Sequence, residues 1–153
     1  MPRKSLRTSV LKMTLPFYHN FLNHEYRCAA IADTGDRLTY RGLYDFSKAM
    51  GEVVRPRSVV FVLCENTIGS FAGCAAFLNN RVIPLLLNAF IDRQLLWSLV
   101  ATYKPDYLYL PECIRDEFSD FNSYLHLHGY LLLKTGYAHQ SPVHDNLALL
   151  IST

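Results

Sequence analysis

Residues 58–87 have the sequence SVVFVLCENTIGSFAGCAAFLNNRVIPLLL, and this stretch decides the fold class. Two continuous apolar runs, at 58–64 and 81–87, flank a segment whose apolar residues recur at helical spacing. Apolar runs without alternation are typical of strands buried on both faces of a parallel sheet. Asn66 or Thr67 is suited to cap the helix between them. The stretch therefore predicts a β-α-β unit with a right-handed crossover.

The same alternation continues toward the C-terminus. Asp92 is suited to begin a helix over 92–103, Pro105 lies beyond its end, and 106–110 (DYLYL) has the pattern of a buried strand. Apolar spacing places five side chains of this helix inward: Leu95, Leu96, Leu99, Val100 and Tyr103. Beyond it the sequence predicts a short helix at 114–121 and strands at 124–128, 130–134 and 147–151. The expected fold class is α/β, a layered and mostly parallel sheet with flanking helices.

Toward the N-terminus the pattern predicts a hairpin and a helix. Strands at 28–32 and 37–40 flank the turn sequence DTGD, and Thr39 is suited to cap a helix over 41–54. The helix over 67–80 is expected to turn one face inward: Ile68, Phe71, Ala72, Ala75 and Leu78. Two segments result, a lead-in at 1–27 and an α/β subdomain at 28–153.

Composition and charge exclude several classes of protein. Half of the 153 residues are hydrophobic and the formal net charge is +2, which favours a packed core over disorder. The basic residues are dispersed apart from Arg3, Lys4 and Arg7, which we interpret as a solvated chain end. The sequence contains no basic stripe with interleaved aromatic residues, so we expect no nucleic-acid partner.

Cysteine usage and hydropathy indicate a reducing compartment. Cys28, Cys64, Cys74 and Cys113 form no C-x-x-C pair, and Cys64 and Cys74 lie in apolar stretches where a thiol behaves as a small hydrophobe. The longest apolar run, 82–87, is far too short to span a bilayer. We therefore expect a cytoplasmic protein with no membrane span.

Histidine spacing raises the possibility of a metal site. His126 and His128 are expected on one face of a strand, where they could bind a metal ion together with His139 or His144. No cysteine or carboxylate lies close in sequence to complete such a set. The alternative is surface histidines on a strand and a loop, and we predict no metal site.

Two further groups of residues each have a functional and a structural interpretation. Cys113, next to Glu112, could be a nucleophile, but no motif positions a base, so a buried or half-buried structural thiol is the alternative we favour. Tyr103, Tyr107 and Tyr109 could form a stacking platform. We expect them instead to pack the 92–103 helix against the 106–110 strand, with their hydroxyls reaching water.

Three segments resemble motifs of the adenylate-forming enzymes. Residues 38–43 (LTYRGL) resemble the L-T-Y-x-E-L segment near the start of this family, with Gly42 where Glu is usual. Residues 71–85 (FAGCAAFLNNRVIPL) resemble L-K-A-G-x-x-Y-V-P-L, with Asn79 and Asn80 replacing the usual Lys or Asn, Ala and Gly. Residues 145–153 (DNLALLIST) resemble the D-x-A-x-I-x-Y-T stretch that leads into the phosphate loop T-S-G-[ST]-T-G-x-P-K.

The resemblance, which covers about 28–153, implies part of an AMP-dependent synthetase/ligase. Such enzymes use ATP and Mg²⁺ to convert a carboxylic or amino acid to an acyl-adenylate, then transfer it to coenzyme A or to a carrier-protein pantetheine thiol. Only Thr153, the first residue of the phosphate loop, is present as a nucleotide-binding residue. The adenine pocket, the Mg²⁺ carboxylate and the catalytic lysine are implied to lie further along a full-length enzyme.

The sequence accordingly assigns no catalytic residue and predicts an inactive fragment without cofactors of its own. The alternative is a stand-alone α/β binding or interaction module that lacks the chemistry. An apolar final strand at 147–151, with nothing following to cover it, predicts a homo-oligomer of the fragment.

Overall fold

Helices and strands alternate along the chain in the computed structural model, which describes residues 17–137 and 143–151. The strands are β1 Cys28–Ile31, β2 Arg37–Thr39, β3 Val59–Cys64, β4 Ile83–Asn88, β5 Tyr107–Pro111, β6 Asn122–Leu127, β7 Tyr130–Lys134 and β8 Leu150–Ile151. The α-helices are α1 Tyr40–Val53, α2 Ile68–Asn79 and α3 Arg93–Tyr103. Two 3-10 helices span Phe17–His24 and Glu112–Phe118.

Six strands form one mixed sheet in the order β6-β7-β5-β3-β4-β8. The four strands β5, β3, β4 and β8 are parallel, while β7 is antiparallel to both β5 and β6. The predicted β-α-β-α-β order and the mostly parallel α/β sheet are therefore confirmed. β1 and β2 form the predicted hairpin as a separate two-stranded sheet, with Gly35 in its turn at a φ of 89°.

The sheet divides two apolar layers. Val60 and Val62 of β3 point toward α1 and α2, whereas Phe61 and Leu63 point toward α3 and the second 3-10 helix. All four of these side chains are fully buried. The continuous apolar run thus forms a strand buried on both faces, as its lack of alternation predicts.

The helices begin at the residues that their capping patterns indicate. The side-chain oxygens of Thr39, Thr67 and Asp92 accept hydrogen bonds from backbone N–H groups in the first turns of α1, α2 and α3. Thr67, rather than Asn66, is therefore the cap of α2. The 3-10 helix Phe17–His24 packs on α1, and the Phe21 ring lies 5.6 Å from the Tyr40 ring.

The predicted inward face of α2 is wrong in part. Ala72 is buried, but Phe71 and Leu78 are 46% and 38% exposed, and Gly73, Ala76 and Phe77 take the inward positions. The helix is apolar almost all round, so hydrophobic spacing did not single out one face. Most of the inward residues are small, which lets the helix approach the sheet closely.

The predicted inward face of α3 is also too wide. Leu96 and Val100 are buried and Leu99 packs against them, but Leu95 and Tyr103 are about half exposed. α3 is a short helix on one sheet face, so a narrow stripe is enough to hold it.

The final strand is shorter than the sequence predicts. Only Leu150–Ile151 pairs, with β4, although the apolar pattern extends over 147–151. The side chain of Arg57 explains the difference, because it donates hydrogen bonds to the backbone oxygens of Leu147 (2.9 Å) and His144. Those contacts hold the approach to β8 outside the sheet.

Candidate functional site

The carboxyl ends of the parallel strands gather at one edge of the sheet. β3, β4 and β5 end there at Cys64, Asn88 and Pro111, and β8 runs in the same direction to Ile151. In open α/β sheets, ligands bind in the crevices outside these carboxyl ends. The edge is therefore where a site is expected.

Two adjoining clefts lie at this edge, between the β1–β2 turn and the start of α2. Their volumes are about 490 Å³ and 470 Å³. They share five lining residues: Ala32, Asp33, Asn66, Thr67 and Ile68. The clefts exist because the hairpin, a sheet of its own, is folded across the end of β3. Nothing in the sequence pattern indicated that the DTGD turn would face the first turn of α2.

The charged groups of the clefts are predominantly acidic. Among the described residues, Asp33, Asp36 and Glu65 contribute carboxylates and Arg37 contributes one guanidinium, with His128 at the margin. The Thr34 hydroxyl donates to Asp36 at 2.8 Å. An acidic lining repels a phosphate chain, so these residues alone do not fit the triphosphate of ATP.

Two buried tyrosines connect the clefts to the sheet. The Tyr130 hydroxyl donates to the Leu63 carbonyl and accepts from the Glu65 N–H, each at 3.1 Å, and so fixes the chain where it leaves β3. The Tyr109 hydroxyl donates to the Gly69 carbonyl at 2.8 Å in the first turn of α2. The two rings stack with centroids 4.8 Å apart. Burial raises the pKa of both hydroxyls, which stay protonated as donors.

The tyrosines do not pack as the sequence predicts. Tyr107 and Tyr109 point toward α1 and α2, because alternate residues of β5 face opposite sides and Leu108 and Leu110 take the α3 side. The Tyr109 hydroxyl is buried rather than in water. Of the three tyrosines only Tyr103, the last residue of α3, packs on that side of the sheet, with its ring centroid 6.2 Å from that of Phe61. Tyr109 is 1% exposed, so it offers no surface for stacking a ligand.

The histidines are dispersed. His126 Nε2 lies 2.8 Å from a carboxylate oxygen of Glu112, while His128 lies beyond the end of β6 with a φ of 52°. The expectation that these two share a strand face is therefore wrong. His144 Nδ1 accepts from the Asn146 N–H, and His139 lies outside the described residues. Within 17–137 and 143–151, no three His, Cys, Asp or Glu side chains are grouped as metal ligands.

The cysteines occupy two kinds of environment. Cys113 is exposed at the start of a 3-10 helix, which corrects the prediction of a buried or half-buried thiol; the helix packs inward through Phe118 and Ile114, and Cys113 lies on its solvent side. Cys28 is also exposed, whereas Cys64 and Cys74 are half-buried against the core. Thr153, the predicted nucleotide-binding residue, lies outside the described residues.

No helix in the described parts of the chain has the length and apolar character needed to cross a bilayer. No protein-family model matches the sequence, and no curated protein sequence matches it.

Several solved structures have a similar fold. The N-terminal subdomain of NpsA from Klebsiella oxytoca is 15% identical with a TM-score of 0.51, and the match covers 60% of this chain and 25% of that one. The nonribosomal peptide synthetase FmoA3 is 22% identical with a TM-score of 0.56, over 65% of this chain and 11% of that one. MenE from Bacillus subtilis, an O-succinylbenzoate coenzyme A synthetase, is 18% identical with a TM-score of 0.51, over 60% of this chain and 25% of that one.

The matched part of the chain therefore spans about a quarter or less of the length of these proteins. Over 60–65% of its length, the chain has the fold of part of the N-terminal subdomain of the adenylate-forming enzymes.

Proposed function

We propose that this chain is part of the N-terminal subdomain of an AMP-dependent synthetase/ligase. The parent enzyme would activate a carboxylic or amino acid with ATP and transfer the acyl-adenylate to a thiol. The fold similarity to NpsA, FmoA3 and MenE carries this proposal. The three segments of sequence that resemble the family motifs, at 38–43, 71–85 and 145–153, support it independently.

Both types of acceptor thiol occur among the similar structures. MenE is a coenzyme A synthetase that was solved in complex with AMP, and NpsA was also solved as an artificial fusion of an adenylation domain with a carrier-protein domain. We therefore propose coenzyme A or a carrier-protein pantetheine as the acceptor in the parent enzyme. ATP and Mg²⁺ are its proposed cofactors.

We propose further that the 153 residues alone are catalytically inactive. Adenylation requires positive groups and backbone N–H donors arranged around the α-phosphate, because the transition state carries its charge there. The clefts at the carboxyl edge present Asp33, Asp36 and Glu65 instead. No residue of this chain is assigned a catalytic role, and the sequence contains no Gly-rich phosphate loop.

ATP–pyrophosphate exchange tests both parts of the proposal. We expect no exchange above background with the purified chain, over a panel of carboxylic and amino acids. We expect exchange with at least one acid when the same panel is given to a chain extended by the codons that follow Thr153 in the gene. Exchange by the short chain would overturn its proposed inactivity. A stop codon after Thr153 would favour the alternative, a non-catalytic binding module.

We also propose that the chain self-associates through its β8 edge. Ile151 pairs with Leu86, so both face the same side of the sheet, and Ile151 is 66% exposed; Phe71 and Leu78 on α2 are exposed as well. Exposed apolar edges favour pairing with another chain. Sedimentation at several concentrations is the test. A monomer at high micromolar concentration would contradict the proposal.

A further inference from the structure

Arg57 has a backbone conformation that favours glycine. It lies between the end of α1 and the start of β3 with a φ of 66°, in the left-handed region where a side chain is strained. Its N–H donates to the Arg81 carbonyl at 2.8 Å, and Arg81 is left-handed as well, with a φ of 57°. Glycine would adopt the Arg57 conformation without strain. The long side chain at this position therefore indicates a role for its guanidinium.

The Arg57 guanidinium binds backbone that lies up to 90 positions away in the sequence. Its Nη1 donates to the Leu147 carbonyl at 2.9 Å, and its Nη2 donates to the His144 carbonyl. The His144 carbonyl also accepts from the Leu147 N–H at 2.9 Å, so the turn 144–147 is closed by its own hydrogen bond and held at both ends by one guanidinium. A planar guanidinium fixes two acceptors in one geometry, which a single ammonium group does not do.

The turn that Arg57 holds leads directly into β8. This strand begins three residues after Leu147 and pairs in parallel with β4, with Ile151 opposite Leu86. Two paired residues specify the register of a strand only weakly. A slip of one residue would shift the chain by about 3.3 Å and turn its side chains to the opposite face. Arg57 therefore supplies a contact outside the sheet that fixes where β8 starts on β4, and so where the chain leaves the sheet.

Arg57 and the carboxyl edge lie at opposite ends of β3. Arg57 precedes this strand, whose six residues span roughly 20 Å. Residues 145–153 resemble the stretch that leads into the phosphate loop, and β8 lies within them. Arg57 is therefore too distant from the carboxyl edge to touch a nucleotide bound there, and it can affect such a site only through the position of the chain.

We infer that Arg57 is a positioning residue for the phosphate-binding segment of the parent enzyme, which it holds through the backbone of 144–147. The inference rests on the proposed function, because the resemblance to the adenylate-forming enzymes is what assigns the segment from Thr153 onward to phosphate binding. Binding of the ATP phosphates requires backbone N–H groups at defined positions, so a displaced segment loses affinity for them. The adenine pocket, which the resemblance places further along the chain, keeps its own affinity.

Hydrogen exchange on the 153-residue chain tests the structural step without any assumption about ATP. Arg57→Gly suits the left-handed backbone and removes the guanidinium, and we expect the amides of β8 to lose most of their protection. Arg81→Gly makes the same change at a second left-handed residue with an exposed side chain, and β8 should exchange in it as in the wild type. Equal protection of β8 in Arg57→Gly and in the wild type would overturn the inference.

Nucleotide binding to the chain extended by the codons that follow Thr153 tests the functional step. Mg²⁺–ATP and adenosine are the two probes in calorimetric titrations. We expect Arg57→Gly to weaken ATP binding about tenfold or more and to change adenosine binding by less than about twofold. Arg57→Lys, which keeps the charge but not the planar fork, should fall between Arg57→Gly and the wild type. Arg81→Gly should change neither affinity by more than about twofold.

Adenosine distinguishes positioning from a general loss of structure. Equal weakening of ATP and adenosine binding by Arg57→Gly would show a merely structural role and overturn the inference. Unchanged ATP binding in Arg57→Gly, with a wild type that binds both probes, would overturn the inference alone. An extended wild-type chain that binds neither probe would overturn the proposed function, and the inference with it.

Discussion

β3 and β8 are both apolar segments of the same sheet, yet their environments are opposite. Val60, Phe61, Val62 and Leu63 of β3 are completely buried, because β4 and β5 pair with both of its edges and helices cover both of its faces. β8 has two paired residues, one partner strand and a 66% exposed isoleucine. An apolar run therefore becomes a buried strand only where neighbours exist on both sides.

The two regions are also held by different forces. At the centre, α2 approaches the sheet so closely that a side chain at Gly69 or Gly73 would overlap the Tyr130 or Tyr109 ring. At the edge, the long side chain of Arg57 holds the approach to β8 through two backbone carbonyls. Close packing tolerates no added atom, whereas a polar contact of this kind is lost without disturbing the core.

The largest effect is expected for Gly73→Ala at the centre. By helix propensity alone the change would stabilise α2 by about 1 kcal/mol. The new Cβ would overlap the Tyr109 ring, which cannot move freely because it is buried, stacked on Tyr130 and bound to the Gly69 carbonyl. We expect a net loss of about 2 kcal/mol or more in the free energy of unfolding, measured by urea denaturation.

Ala75→Gly is the matched control for this change. Ala75 is half-buried on the same helix, so the reverse substitution should cost only the propensity difference of about 1 kcal/mol. A Gly73→Ala protein as stable as the wild type would show that α2 and the sheet can separate without cost.

The second effect concerns the exit of β3. Tyr130→Phe removes the hydroxyl that donates to the Leu63 carbonyl and accepts from the Glu65 N–H. Leaving a buried carbonyl and an N–H without this partner should cost about 1–2 kcal/mol. Tyr124→Phe, at a residue that is 51% exposed, should change the stability by less than about 0.5 kcal/mol. An equal loss of stability in Tyr130→Phe and Tyr124→Phe would show that the Tyr130 hydroxyl does not stabilise the exit of β3.

The third prediction tests the edge. Arg57→Ala should lower global stability by only about 0.5–1 kcal/mol, because the bonds it loses lie near the surface. The amide of Leu147, which bonds to the His144 carbonyl, should nevertheless lose most of its protection against hydrogen exchange. Amides of β3 should keep theirs. Lys48→Ala, at an exposed position of α1, serves as the control and should alter neither region.

The smallest effect is expected at an ion pair on the α3 side. Arg93 donates to both carboxylate oxygens of Glu117, one of them at 3.0 Å, and this contact lowers the pKa of Glu117 below its ordinary value of 4.5. A carboxylate whose folded pKa is depressed stabilises the protein above its unfolded pKa, and the contribution disappears as the pH falls through the folded pKa.

Glu117→Gln should therefore be slightly less stable than the wild type at about pH 7, and the difference should vanish as the pH falls through the lowered pKa of Glu117. Thermal unfolding at several pH values measures it. Glu52→Gln, at an exposed position of α1, is the matched control for the loss of a surface carboxylate. A difference between Glu117→Gln and the wild type that persists at low pH would rule out the ion pair as its cause.

The sequence by itself determined the order of the elements and most of their ends. Thr39, Thr67 and Asp92 begin their helices, and 58–64 and 106–110 form buried strands, because capping and hydrophobic runs act through neighbouring residues. The three motifs that resemble the adenylate-forming enzymes are also local patterns, and they agree with the observed fold.

Only the tertiary structure decided which side of each element faces the core and what meets at the carboxyl edge. The inward face of α2, the burial of the Tyr109 hydroxyl and the short β8 depend on contacts between residues far apart in the chain. The same is true of the clefts beside the hairpin. Hydrophobic periodicity reports only the spacing of apolar residues along the chain. Because α2 is apolar almost all round, this spacing does not distinguish its buried face from its exposed face. The buried face is the one whose glycines allow a close approach to the sheet.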